Sequence, residues 1–145
     1  FMWVAALVLI FAISVDEPAQ PGLLAFAGVA LWVVGMFFET ISDLQLARFR
    51  SDPANAGKVL DRGLWRYTRH PNYFGETCVW VGLLLIAIEN PARVVTTVSP
   101  AVILYAPLGP AGKGLLERRM SKKRPDFAAY VRRTSGFLPL PPKKT

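Results

Sequence analysis

Apolar and polar positions along this chain are pooled rather than interleaved. "FMWVAALVLIFAISV" (1–15) and "GLLAFAGVALWVVGMFF" (22–38) carry no charge, and "FGETCVWVGLLLIAI" (74–88) carries one, Glu76, at its entrance. "VVTTVSPAVILYAPLGPAG" (94–112) is again uncharged, though broken by Pro100, Pro107 and Pro110. A helix on the surface of a soluble protein shows polar residues at every third or fourth place. These windows are apolar all round, and the second reaches the length that crosses a ~30 Å hydrocarbon core. The pattern predicts an all-α fold: a polytopic transmembrane helix bundle forming a single membrane domain over residues 1–145. Its spans are expected at about 1–15, 22–38, 74–89 and 94–112, with a basic loop at 40–72 and a partly helical tail at 113–145.

The chain opens at Phe1, already inside an apolar run and without the basic start of a signal peptide, and so reads as one whose beginning lies upstream. Charge then orients the bundle. The loop carries Arg48, Arg50, Lys58, Arg62, Arg66 and Arg69, and the tail carries basic residues from Lys113 to Lys144. The two opposite connections hold one basic residue between them, Arg93, and the first of them carries the acidic Asp16 and Glu17. Basic segments stay on the cytoplasmic side, so loop and tail are both expected there, and four alternating spans bring them to one face. The net charge of +7 is accounted for by topology and by anionic headgroups. A nucleic-acid partner is not expected, since no recognised binding motif accompanies the charge. Cys78, alone in an apolar run, reads as a small buried hydrophobe. The terminal "PLPPKKT" is expected to fray. Trp65, Tyr67, Tyr73 and Trp80 fit an aromatic belt at one interface.

Three polar groups lie at the cytoplasmic ends of spans. "FFETISDLQLARFR" (37–50) continues the second span, and Glu39, Asp43 and Arg50 are spaced to project from one helical face. In "RYTRHPNYFGE" (66–76), Arg69 and His70 precede Pro71, which suits a first helical turn. Asn72 and Tyr73 fall in that turn, and Glu76 lies about one turn further on. The tail (115–137) carries Glu117 and Tyr130. For several of these residues a purely structural role is available: a helix-face ion pair for Asp43 and Arg50, a backbone hydrogen bond for His70. Glu76 fits such a role least. A carboxylate inside an apolar span is costly and faces a bundle interior or a wet cavity, with Arg69 or His70 as its nearest partner. Acceptors such as Glu39, Asp43 and Glu76 beside donors such as Arg50, Arg69 and His70 suit a ligand with both hydroxyls and phosphates, a nucleotide cofactor. A metal is not expected from one histidine and scattered carboxylates.

"GLWRYTRHPNYFGE" followed by "VWVGLLLIA", with "ETISDLQLARFR" upstream, resembles the DUF1295 group of membrane proteins, related to the steroid 5-alpha-reductase C-terminal domain. More distantly, the "RHPxYxG" signature is similar to sterol reductases, isoprenylcysteine carboxyl methyltransferases and phospholipid methyltransferases. The resemblance implies a cofactor pocket at the cytoplasmic ends of the last helices and a bacterial inner membrane. It also implies NADPH in the reductase branch and S-adenosylmethionine in the methyltransferase branch. By matching motif, Asp43 and Arg50 fall on the reductases' cofactor-contacting D-x6-R pattern, and Asn72, Tyr73 and Glu76 on their N-F/Y-x-G-E string. Arg69 and His70 match the "RHP" of sterol reductases and methyltransferases, and Glu117 and Tyr130 the tail pattern. Two departures stand out: Glu39 replaces an asparagine of the steroid reductases, and Ala47 an arginine, which weakens the expected grip on a 2'-phosphate. The reductases' proton-donating tyrosine and its glutamate partner come from helices upstream of these residues, so no catalytic acid is assigned here.

The resemblance therefore implies an NADPH-dependent reductase acting on a carbon–carbon double bond of a lipid or steroid-like substrate. A methyltransferase using S-adenosylmethionine is the alternative. A non-catalytic membrane scaffold is the third reading, and it leaves the cost of Glu76 unexplained.

Overall fold

The computed structural model describes residues 22–88, 120, 124 and 126–143. The spans expected at 1–15 and 94–112, and Glu117, lie outside the described residues. Three α-helices are described: α1 (Leu23–Ser51), α2 (Pro71–Ile88) and a short α3 (Phe127–Arg133). Single 3₁₀ turns at Pro53–Asn55 and Gly63–Arg66 punctuate the connection between α1 and α2. Among the described residues the only β pairing is an isolated parallel bridge between Thr68 and Ser135.

Both α1 and α2 are long and apolar enough to cross a membrane. With 29 residues at 1.5 Å each, α1 is about 43 Å long, well beyond the ~30 Å of a hydrocarbon core. The outward residues change character accordingly. Leu23, Phe26, Val29, Val33 and Phe37 are exposed apolar side chains, the arrangement a lipid-facing helix requires. After Phe38 the exposed positions are Thr40, Asp43, Leu44, Ala47, Arg48, Arg50 and Ser51. The helix thus runs past the end of the expected span at residue 38 and carries the start of the expected loop as its own polar extension.

Between α1 and α2 the packing is backbone on backbone. Gly28 and Gly35 in α1, seven residues apart, face Gly82 and Gly75 in the antiparallel α2. A methyl group on Gly28 would lie 2.6 Å from the Gly82 carbonyl oxygen, and one on Gly35 2.7 Å from that of Gly75. Interior glycine costs a helix roughly 0.5–1 kcal/mol relative to alanine. The cost is offset where burying apolar surface supplies little, because close approach of small residues then supplies the dispersion contacts. Above this seam Phe38 packs edge-on against Phe74, with ring centroids 4.9 Å apart. Cys78 is buried, as expected, and so is Trp80, which is therefore not part of a lipid-facing aromatic belt.

Candidate functional site

The site begins where α1 ends. Asp52 caps the first 3₁₀ turn by accepting from the Ala54 N–H at 2.9 Å. Asn55 donates to the Phe49 carbonyl at 3.0 Å, satisfying one of the open carbonyls at the helix C-terminus. The chain then doubles back along α1. The Leu64 N–H donates to Gln45 Oε1 at 3.0 Å and the Trp65 indole N–H to the Ser42 carbonyl at 3.1 Å. Gly63, with φ of 62°, allows this approach, since a Cβ there would meet the Gln45 carboxamide at 2.5 Å. Trp65, expected at an interfacial belt, is instead locked against the polar end of α1.

The "RHP" motif follows and is held by the tail. α2 begins at Pro71, as the sequence predicts, with the His70 carbonyl accepting from the Phe74 N–H at 3.0 Å. Thr68 is fully buried; its hydroxyl donates to the Phe137 carbonyl at 2.8 Å and accepts from the His70 N–H at 3.2 Å. Arg69 Nη1 donates to the carbonyls of Val131 and Thr134, both at 3.1 Å, at the C-terminus of α3 where a cation is favoured. The Tyr130 hydroxyl donates to the Trp65 carbonyl at 2.5 Å. The Leu140 N–H reaches the Tyr67 carbonyl at 3.1 Å, and the Lys143 N–H the Arg133 carbonyl at 2.9 Å. Farther out, Arg133 pairs with Asp61 and Arg124 donates to the Lys58 carbonyl. The segment expected to fray is thus hydrogen-bonded through residue 143.

These pieces enclose a cavity of about 400 Å³ at the polar end of the helix pair, inside the range of roughly 300–1,000 Å³ found for small-molecule sites. One face of α1 supplies Asp43, Leu46, Phe49 and Arg50; the returning loop supplies Leu60, Trp65, Arg69 and His70. The first turn of α2 adds Asn72 and Tyr73, and the tail adds Met120, Arg124, Phe127 and Tyr130. The His70 and Tyr73 rings lie stacked, 5.4 Å apart and within 5° of parallel. Seven of the ten residues singled out in the sequence meet on this wall: Asp43, Arg50, Arg69, His70, Asn72, Tyr73 and Tyr130. Phe49, Trp65, Phe127 and Arg124 were not singled out. Phe49, six positions from Asp43, lies about 120° round α1 from it, so periodicity gave no signal for it; the others reach the wall only through the fold of loop and tail.

Glu39 and Glu76 are half-buried between the helices, below the cavity, and are not part of its wall. Glu76 was expected to find Arg69 or His70. Among the described residues no ion pair joins Glu76 to either of them, and the carboxylates of Glu39 and Asp43 are close enough to act on it. The reason is steric: Gly75 brings α2 onto the main chain of Glu39, so the two carboxylates share one level. Arg69 turns away to α3. Among the described residues no group of three or more histidine, cysteine or acidic side chains could hold a metal ion.

Antiparallel helices long enough to cross a membrane, with a mixed polar and aromatic cavity at their polar end, define a helical protein with a candidate site for a small molecule. The family model described as "Protein of unknown function (DUF1295)" matches residues 1–134, and the chain belongs to that family. Among curated proteins it is similar to 3-oxo-5-alpha-steroid 4-dehydrogenase 1 of Mus musculus, 40% identical over 58 residues, which cover 40% of this chain and 23% of the relative. The Rattus norvegicus protein of the same name is 40% identical over 58 residues (40% of this chain, 22% of the relative). The Bos taurus protein is 38% identical over 58 residues (40% of this chain, 23% of the relative). The matching stretch thus spans less than a quarter of the length of these relatives. No solved structure matches the chain.

Proposed function

We propose that this chain is the cofactor-holding part of a membrane-embedded, NADPH-dependent reductase of the steroid 5-alpha-reductase type, acting on a carbon–carbon double bond of a lipid or steroid-like substrate. The observation that carries the reading is the composition of the cavity wall: Asp43 and Arg50 from one face of α1, Asn72 and Tyr73 from the first turn of α2, and the rings of Trp65 and Phe127. That donor set fits a dinucleotide. Asp43 can accept from ribose hydroxyls, Arg50 can meet a phosphate with its planar fork, and the aromatic side chains offer surface for a flat ring. Bound there, NADPH would supply a hydride to an electron-poor double bond. The chain's own residues bind and orient the donor, while the apolar helices leave room for a lipid to approach from the membrane side and exclude water. The partial likeness to proteins named for 3-oxo-5-alpha-steroids supports this chemistry.

The membrane reading and the cytoplasmic placement of loop and tail belong to the same proposal. Support comes from the apolar exposed faces of α1, the basic residues gathered at one end, and the positive-inside rule.

The test titrates NADPH and S-adenosylmethionine side by side against the full-length protein in detergent and follows thermal unfolding. A ligand that binds only the folded state stabilises it by about 2.7 kcal/mol at a hundred times its dissociation constant. NADPH should raise the melting temperature, and Asp43→Asn and Arg50→Ala should each abolish most of the rise without lowering the ligand-free value. A rise with S-adenosylmethionine alone would move the protein to the methyltransferase chemistry that the "RHP" motif also resembles. A rise with neither would remove the cofactor reading.

A further inference from the structure

Exposed apolar side chains on α1 are explained by lipid, but three others sit elsewhere. Tyr67, Leu138 and Leu140 are 43%, 55% and 52% exposed, on the segment where the tail crosses the "RHP" loop. This is not a loose end. The Leu140 N–H donates to the Tyr67 carbonyl at 3.1 Å, and Thr68 bridges to Ser135 and bonds Phe137 beside it. The fold therefore holds three large apolar groups together and outward at a fixed place.

That place can be read against α1. Phe137 packs on Phe74 with ring centroids 5.9 Å apart, and Phe74 packs on Phe38 at 4.9 Å. Phe38 marks the level at which the exposed face of α1 turns from apolar to polar. An aromatic ladder thus carries the tail to the height where hydrocarbon gives way to headgroups. Exposed cations belong to the same segments: Arg66 precedes Tyr67, Lys143 lies three residues beyond Leu140, and the Lys143 N–H bonds the Arg133 carbonyl next to the exposed Arg132. Apolar side chains flanked by exposed cations are the composition of a segment that lies in the plane of an anionic lipid surface.

We propose that Tyr67, Leu138 and Leu140 seat in the boundary between headgroups and acyl chains, with the neighbouring cations on anionic headgroups, and that the tail is thereby pinned to the membrane. The proposal rests on the reading of α1 as a membrane span. It assigns the tail two attachments, one to the loop by hydrogen bonds and one to lipid. Since Phe127 and Tyr130 form part of the cavity wall, lipid contact at Leu140 steadies the same wall from outside.

The test uses the full-length protein with every native cysteine, Cys78 among them, replaced by alanine, reconstituted in phosphatidylcholine vesicles containing phosphatidylglycerol. A small fluorophore is attached after Leu140→Cys, after Ala56→Cys in the exposed loop, or after Val33→Cys on the outer face of α1. Quenching by aqueous iodide is compared with quenching by lipids carrying a nitroxide near the headgroup or deep in the chain. The label at position 140 should be quenched severalfold less by iodide than the label at 56, and strongly by the shallow nitroxide. Iodide quenching at 140 equal to that at 56 would overturn the proposal. Protection at 140 from both iodide and nitroxide would also overturn it, because another protein surface would then cover the patch. The label at 33 separates the two readings: deep quenching there with an exposed 140 removes only the tail anchor. No lipid quenching at 33 removes the membrane span itself.

Discussion

Replacing Gly75 with alanine would set a methyl group 2.5 Å from the main-chain nitrogen of Glu39 and 2.7 Å from the Gly35 carbonyl oxygen. Ordinary van der Waals contact begins at 3.4 Å, so α1 and α2 must separate by about 1 Å at that level. The obstructing atoms are backbone, which cannot rotate aside. Overpacking of this kind costs ~1–3 kcal/mol, against which the better helix propensity of alanine returns up to ~1 kcal/mol. A net loss of ~1–2 kcal/mol is expected. In thermal unfolding of the detergent-purified full-length protein, that is a fall of several degrees, at roughly 2–8 °C per kcal/mol. Gly35→Ala meets the same seam from the other side, with a methyl 2.6 Å from the Val79 nitrogen. Because the first methyl already opens the seam, the second enters a wider gap. The double variant should therefore lose less than the sum of the singles, by an interaction of ~0.5–1 kcal/mol. A Gly75→Ala protein that melts like the parent would refute the close-packed seam. A double variant that loses the full sum would refute the claim that the two glycines face each other.

Two further expectations concern the clasp between loop and tail. Thr68→Val keeps the shape but leaves the Phe137 carbonyl and the His70 N–H without the buried hydroxyl, at a cost of ~1–3 kcal/mol. Limited proteolysis should then cut residues 126–143 faster without ligand, and an unchanged rate would count against the clasp. Arg69→Lys keeps the charge but replaces the longer guanidinium, whose Nη1 reaches both the Val131 and Thr134 carbonyls, with a shorter ammonium. It should loosen the tail in ligand-free protein and weaken NADPH binding by about tenfold, or ~1.4 kcal/mol. Weakened binding with an unaltered tail would show that the guanidinium meets the ligand directly instead of positioning the wall.

Much of the site was legible because helical periodicity is local. Asp43 and Arg50 share a face at a spacing of seven, and both reach the cavity for that reason. Pro71 could start a helix and could not continue one, so the position of His70, Asn72 and Tyr73 at the mouth of α2 followed from residue type alone. The partners of Arg69 were not legible in the same way. Its guanidinium bonds carbonyls more than sixty positions away, and a main-chain carbonyl leaves no mark in a sequence. The same holds for the Tyr130 hydroxyl on Trp65 and for Trp65 on Ser42. The surroundings of Glu76 were not legible either, because the close approach of Gly35 and Gly75, which sets Glu76 beside Glu39, leaves no mark in a sequence.

Composition and periodicity by themselves determined that this chain forms apolar helices with a polar constellation at one end. Those properties depend on how each residue meets water or lipid and on its near neighbours. Tertiary structure alone decided that Gly28 and Gly35 meet Gly82 and Gly75, that the tail folds back as a wall, and that Arg69, on that wall with Asp43 and Arg50, also ties the loop to α3. Each of those outcomes depends on backbone atoms distant in the chain coming within a few ångströms, and only the packed helices bring them there.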